Sequence, residues 1–251
     1  MKRIDGYGYT LYQGEALGIL AGMDAASVDA VVTDPPYSSG GLHMYARTGI
    51  APSDKYPQDG TLKQYLSFSG DNRNERSWAL WCTLWATEAA RLLTPDGLFM
   101  MFADWRMLPT TTDVLQAAGL TWRGIVVWDK TVAARAPHTG YFRHQCEYVV
   151  WGTKGDCAKR AGGPFPGCIQ QRVDPRQKFH MTGKPVEVMR ALLARVPDDG
   201  LVLDPFAGSG STGVAALASG RRFIGVELDA GYFDVAARRL EAAAAQKRLA
   251  V

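Results

Sequence analysis

The chain has 251 residues, 47% of them hydrophobic and 21% charged, with a formal net charge of +3, which suits one globular domain with insertions and permits a nucleic-acid partner without requiring one. No apolar run is long enough to span a bilayer, and the start Met1-Lys2-Arg3-Ile4-Asp5 lacks the apolar core of a signal peptide, so no membrane partner is expected and the cytoplasm is the expected compartment. Cys82, Cys146, Cys157 and Cys168 form no C-x-x-C pair, which argues against a zinc site or other metal and against a disulfide framework.

Tyr9-Thr10-Leu11-Tyr12-Gln13 reads as a short strand ending at Gly14-Glu15-Ala16-Leu17, with a helical stretch from Leu17 to Ala21. The apolar run Val28 to Thr33 reads as a buried strand, and Asp34-Pro35-Pro36-Tyr37 follows it directly. Two prolines fix their own φ angles and bias the preceding residues towards extended backbone, so this turn is rigid before any ligand arrives. Neither proline has an N–H, which leaves their carbonyls open as acceptors. The Asp34 carboxylate, the Pro35 carbonyl and the flat ring of Tyr37 together suit a planar amine, such as the exocyclic amine of adenine or cytosine, with Tyr37 stacking on the ring. On their own, the four residues are equally readable as a strand-to-loop turn.

Residues 38–77 form a long irregular section, placed to act as a lid after that turn, with Tyr45, Arg47, Lys55 and Arg73 as candidate nucleic-acid contacts. Trp78, Trp81 and Trp85 recur at helical spacing towards Leu92, and this stripe reads as core. Thr94-Pro95-Asp96-Gly97 stops the helix. Leu98 to Phe102 reads as a strand, Leu108 to Ala118 as a helix closed by Gly119, and Ile125 to Trp128 as a further strand. The alternation argues for a mostly parallel sheet.

From Lys130 to His144 the chain carries Lys130, Arg135, His138, Arg143 and His144 and no acid, which suits phosphate contact. Gln145 to Trp151 reads as a strand. Thr153 to Lys178 then carries Lys154, Lys159, Arg160, Arg172, Arg176 and Lys178 against Asp156 and Asp174. This stretch is either a short recognition insert or a solvated loop. As an insert, Arg172 or Arg176 would read guanine edges while the lysines neutralise phosphates.

Thr182 stands where it can accept from helix N–H groups, and Pro185 starts a helix through Leu193. Leu201-Val202-Leu203-Asp204 is an apolar strand with an acidic end. Pro205-Phe206-Ala207-Gly208-Ser209-Gly210-Ser211-Thr212-Gly213 is a glycine-rich turn running into a helix from Val214 to Ser219. Gly208, Gly210 and Gly213 fit the G-x-G-x-x-G spacing, and Glu227, closing the next apolar run Phe223 to Val226, is spaced as a ribose-hydroxyl acceptor. A last helix is expected from Tyr232 to about Lys247.

With these motifs in this order, the chain resembles the S-adenosylmethionine-dependent amino-methyltransferases of DNA in their permuted β class, from about Leu11 to about Leu240. The resemblance implies an α/β fold, a Rossmann-like methyltransferase sheet, mostly parallel and twisted, with helices on both faces. It implies S-adenosyl-L-methionine as cofactor, S-adenosyl-L-homocysteine as product, and double-stranded DNA as substrate. A homodimer and a cognate restriction endonuclease come with it as candidate partners. Asp34, Pro35, Pro36 and Tyr37 would be catalytic. The cofactor would be held by Asp34, by Asp204 to Gly210 with Thr212, by Glu227 with Leu228, and by Glu15 and Ala16, Glu15 standing where relatives carry the Asp of a Gly-Asp pair beside the adenine. Phe179 to Pro185 resembles the motif at the cofactor's methionine end, giving Thr182 and Lys184 a place there; Lys184 is equally readable as a solvated helix-start lysine. Aspartate at the first motif position is mostly associated with adenine N6 in that family, and serine with cytosine N4. A nicotinamide-dependent oxidoreductase would also use the glycines and Glu227 but leaves Asp34 to Tyr37 without work. A non-catalytic DNA-binding module leaves both ligand motifs unused.

Overall fold

The computed structural model describes residues 2–37, 73–134, 136, 138–157, 162–173 and 183–249. In chain order the elements are β1 (Lys2–Gly6), β2 (Tyr9–Gln13), α1 (Ala16–Ala21), β3 (Val28–Thr33), α2 (Glu75–Leu92), β4 (Leu93–Ala103), α3 (Leu108–Ala117), β5 (Thr121–Asp129), β6 (Cys146–Thr153), β7 (Cys168–Gln170), α4 (Val186–Leu193), β8 (Leu201–Asp204), α5 (Ser211–Ala218), β9 (Arg222–Glu227) and α6 (Ala230–Leu249). Among the described residues the strands form one sheet in the order β1-β2-β9-β8-β3-β4-β6-β5-β7. The central run from β2 to β4 is parallel, while β6 is antiparallel to both β4 and β5.

Period-two alternation sends side chains to two cores. Leu98, Met100 and Phe102 of β4 join α4, α5 and α6 on one face, whereas Phe99 and Met101 join α1, α2 and α3 on the other. The central strand β3 is buried on both sides from Ala30 to Thr33, as its apolar run Ala30-Val31-Val32 requires. Helix α2 begins where Asn74 accepts from the Ser77 amide at 2.9 Å. Its far end is tied by Lys154, whose ammonium donates to the carbonyls of Arg91 at 3.0 Å and Leu93 at 2.7 Å.

Three departures from the sequence reading have local causes. Strand β1 is short, polar and at the sheet edge, so it shows no apolar run, yet it pairs with β2 across the turn at Tyr7-Gly8, where Gly8 has φ +79°. The helix expected from Trp78 starts at Glu75, inside the section read as irregular. Thr94 to Gly97 ends the helix but sits within β4 as a bulge: β3 meets Leu93 and then Leu98, and Asp96 and Gly97 bond Lys154 instead. In addition, β7 lies inside the stretch read as an insert and pairs in parallel with β5, so part of that stretch extends the sheet. Among the described residues no helix is long and apolar enough to cross a membrane.

Gly213 lies on α5, where an added Cβ would fall 2.5 Å from Leu240 and 2.6 Å from Phe223. Gly213→Ala should therefore destabilise the protein by about 1–3 kcal/mol, read as a lowered midpoint in urea unfolding.

Candidate active site

Strands β3 and β8 are adjacent and parallel, with Val31 beside Leu203, so the turns that leave them meet at one sheet edge. Between these turns lies a cavity of about 310 Å³. Its wall includes Asp34, Pro35, Pro36 and Tyr37 on one side and Asp204 to Ser209 with Thr212 on another. Glu15, Ala16, Glu227, Leu228 and Lys184 complete the expected part of the lining, and Gly14 joins them.

The glycine-rich turn is held by its own main chain and by α6. The Ala207 amide donates to the Val226 carbonyl at 2.9 Å, and Arg239 donates to the Ser209 hydroxyl at 3.0 Å. Gly208 and Gly210 have φ of +52° and +81°, which a side chain would strain. Gly210 is not part of the cavity wall. A Cβ there would lie 3.2 Å from Ala236, so its smallness serves the packing of α6 on the turn. Asp204 is 2% exposed and accepts from the Thr33 hydroxyl at 2.7 Å, the Thr212 hydroxyl at 2.6 Å and the Phe206 amide at 3.0 Å. Burial pushes its carboxyl up to about 6 against the pull of Thr212 and Thr33. Its visible work is to hold the two turns together.

Glu227 accepts from the Gly208 amide with one oxygen and the Asp229 amide with the other, each at 2.8 Å. Burial raises it to about 7, opposed by those two amides. The Glu227 carbonyl takes the Gly14 amide at 3.0 Å, which brings the turn before α1 to the same edge. There Glu15 caps α1, accepting from Leu17 at 3.1 Å and Gly18 at 2.8 Å, and lines the cavity from the same position.

On the other side the Tyr37 hydroxyl donates to Asp34, and Trp78 donates from its indole nitrogen to the Pro36 carbonyl at 2.6 Å. The expectation that both proline carbonyls stay open is thus corrected for Pro36, which braces the turn on α2. The reading of Lys184 as a solvated helix-start lysine is also corrected. It is 7% exposed, and its ammonium lies 2.6 Å from Asp34 and 3.2 Å from Glu147. Burial drives the Asp34 carboxyl up, with Lys184 opposing; for Lys184 the two carboxylates outweigh burial and raise it. Burial drives Tyr37 well above the usual phenol range, and the neighbouring Asp34 adds to this.

Lys130 points inward, its ammonium 3.1 Å from Glu147, rather than out to the surface where a phosphate would lie. Arg143 is exposed and bonded to the Ala134 carbonyl at 2.9 Å, and Arg172 is exposed. Lys154 is engaged by the end of α2, as described above. Arg135, Lys159, Arg160, Arg176, Lys178 and Thr182 lie outside the described residues, as do Tyr45, Arg47 and Lys55.

Sequence reading missed Glu147, and it placed Trp81 in the core. Trp78 and Trp85 are fully buried, but Trp81 lines the cavity, 5.2 Å from the Phe206 ring, with Arg73 stacked 4.3 Å over it. Met189, Asp229 and Tyr232 also line it. The signal for Glu147 was present: it is the one charged residue in the strand Cys146 to Thr153. Chemically, the cavity offers a rigid carboxylate and ring at one end, and at the other an acidic acceptor beside a closely approaching backbone. Exchange of Thr212 for valine, which removes a donor from buried Asp204 at nearly constant volume, should cost about 1.5–3 kcal/mol in denaturant unfolding.

Comparison with known proteins gives a consistent result. The family described as DNA methylase, N6_N4_Mtase, matches residues 28–238. YubD of Escherichia coli (strain K12), provisionally named a methylase, is 32% identical over 231 residues, covering 92% of this chain and 89% of YubD. Type II methyltransferase M2.DpnII of Streptococcus pneumoniae is 28% identical, with 92% and 89% covered. Among solved structures, the M1.HpyAVI–SAM complex superposes with a TM-score of 0.67 at 22% identity, covering 92% of this chain and 98% of that one. The cytosine-N4-specific PvuII DNA methyltransferase gives 0.68 at 18% identity, with 96% and 91% covered. These two likenesses are of fold.

Proposed function

The chain belongs to this family of N6/N4 DNA methylases, and from that premise we propose that it transfers methyl from S-adenosylmethionine to the N6 amine of an adenine flipped out of double-stranded DNA. The observation that carries the reading is one cavity wall that joins the Asp34 to Tyr37 turn to the Pro205 to Ser209 turn and Glu227.

The residues present fit that cofactor. Glu227 offers acceptor oxygens for ribose hydroxyls beside the Gly208 main chain. Glu15, Asp34, Asp204, Glu227 and Asp229 line the cavity against Arg73 and Lys184, an acidic balance that favours a ligand carrying sulfonium and ammonium charges. The same balance opposes the pyrophosphate of a nicotinamide dinucleotide. When bound, the cofactor supplies a methyl group activated on a sulfonium.

The chain's own contribution is to place the amine. Asp34 and the Pro35 carbonyl accept its N–H bonds, which favours positive charge developing on nitrogen as the new N–C bond forms. Extrusion of the base costs a few kcal/mol, and stacking on Tyr37 returns about 1–3 kcal/mol. The preference for adenine rests on aspartate at position 34; cytosine N4 is the second reading, supported by the shared fold with a cytosine-N4-specific enzyme. Arg143 and Arg172, exposed, are proposed to meet phosphate or base edges, together with basic residues of 130–178 outside the described set.

Labelled methyl transfer to unmethylated DNA, followed by nucleoside analysis, tests the target: N6-methyladenine is expected, and N4-methylcytosine would replace it with the second reading. Asp34→Ala should lower transfer by about 10²–10³-fold while S-adenosylhomocysteine titration shows binding retained; loss of that binding in a folded variant would contradict the division of roles.

Glu227, held at about 7 by burial, accepts hydroxyl donors best when ionised. Affinity for S-adenosylhomocysteine should therefore fall as pH drops below about 7, approaching tenfold per unit, and calorimetry of Glu227→Gln should give a weaker affinity with a flatter pH profile.

A further inference from the structure

Asp34 already carries two donors: the Tyr37 hydroxyl on Oδ1 and the Lys184 ammonium on Oδ2, the latter at 2.6 Å. An incoming amine N–H competes with that ammonium for Oδ2. On the other side of Lys184 stands Glu147 of β6. Its Oε1 takes the Lys130 ammonium at 3.1 Å. Its Oε2 is buried and has no hydrogen-bond partner among the described residues, although Lys184 Nζ is only 3.2 Å away. That oxygen is ion-paired with Lys184 but lacks full hydrogen-bond geometry, and a buried carboxylate oxygen short of a well-placed donor is costly.

We propose that Glu147 is a positioning residue for methyl transfer: it receives Lys184 when the target amine takes that ammonium's place on Asp34. The inference rests on the functional reading above. A small rotation of the ammonium turns the 3.2 Å approach into a hydrogen bond and exposes Oδ2 to the amine, with no proton transferred and the local charge unchanged. Lys130 holds Glu147 from behind, so the receiving oxygen stays in place. The rings of Tyr37 and Phe102, 5.3 Å and 5.2 Å from the ammonium, flank its path and favour a cation throughout the movement. Because Lys184 moves to Glu147 and stays inside the same buried cluster, Asp34 is opened to the amine while the charge of the site as a whole is unchanged.

The test compares wild type, Glu147→Gln, Lys184→Met and the double variant, measuring kcat for methyl transfer to DNA and the dissociation constant of S-adenosylhomocysteine. The expected result is a fall in kcat of about tenfold or more for Glu147→Gln, cofactor-product affinity within twofold of wild type, and little further loss when the same change is made beside Lys184→Met. Equal loss in both backgrounds, or an unchanged kcat, overturns the proposal. If Glu147→Gln does not fold, Glu147→Asp keeps the charge and withdraws it by one methylene. A lower kcat with product affinity intact then supports the proposal, and an unchanged kcat overturns it. A wild type that binds S-adenosylhomocysteine but methylates no DNA overturns the functional reading, a result distinct from failure of the Glu147 variants alone.

Discussion

The hydrogen bond from Thr33 to Asp204, 2.7 Å long and fully buried, ties the last residue of β3 to the last residue of β8. Thr33 immediately precedes the Asp34 turn, and Asp204 immediately precedes the glycine-rich turn. Strand pairing alone fixes the spacing of the two backbones, but this cross-tie fixes how the turns leave them. Asp204 then extends the same restraint into α5 through Thr212 and into the turn through the Phe206 amide. A buried carboxylate is costly unless its oxygens are satisfied, and here three donors converge on it.

Around this tie the charges divide into two groups with different uses. Along one wall, Glu227 and Glu15 are engaged by main-chain amides, which hold the turns in shape while leaving lone pairs towards the cavity. Along the other, Asp34, Lys184, Glu147 and Lys130 alternate in sign across four different segments. A buried alternating row is stable only as a whole, since removing one member strands its neighbour. Such a row also leaves room for rearrangement, because Lys184 has two carboxylates within reach and full hydrogen-bond geometry with one.

Much of the plan was legible in the sequence because the decisive segments carry local signals. Strand β2, strand β3 and the Leu201 to Asp204 strand have the bounds their apolar runs suggest, and the prolines and glycines mark the two turns by backbone restriction alone. Where the reading slipped, tertiary context was the cause. Strand β1 exists through pairing with β2, and the Thr94 to Gly97 stop signal is absorbed as a bulge because Lys154 supplies its partners. Trp81 has the helical spacing of a core residue, and only the arrangement of α2 beside Phe206 turns it towards the cavity.

The sequence by itself determined the motifs, their order and the parallel sheet that brings their ends together, since periodicity, proline and glycine act within a few residues of chain. The tertiary structure decided the partners of each charge. Lys184 precedes a helix and reads as solvated, yet folding buries it between carboxylates that stand 150 and 37 positions earlier in the chain. Burial and distance set the ionic state of such groups, and both are properties of the packed molecule that no local stretch of sequence contains.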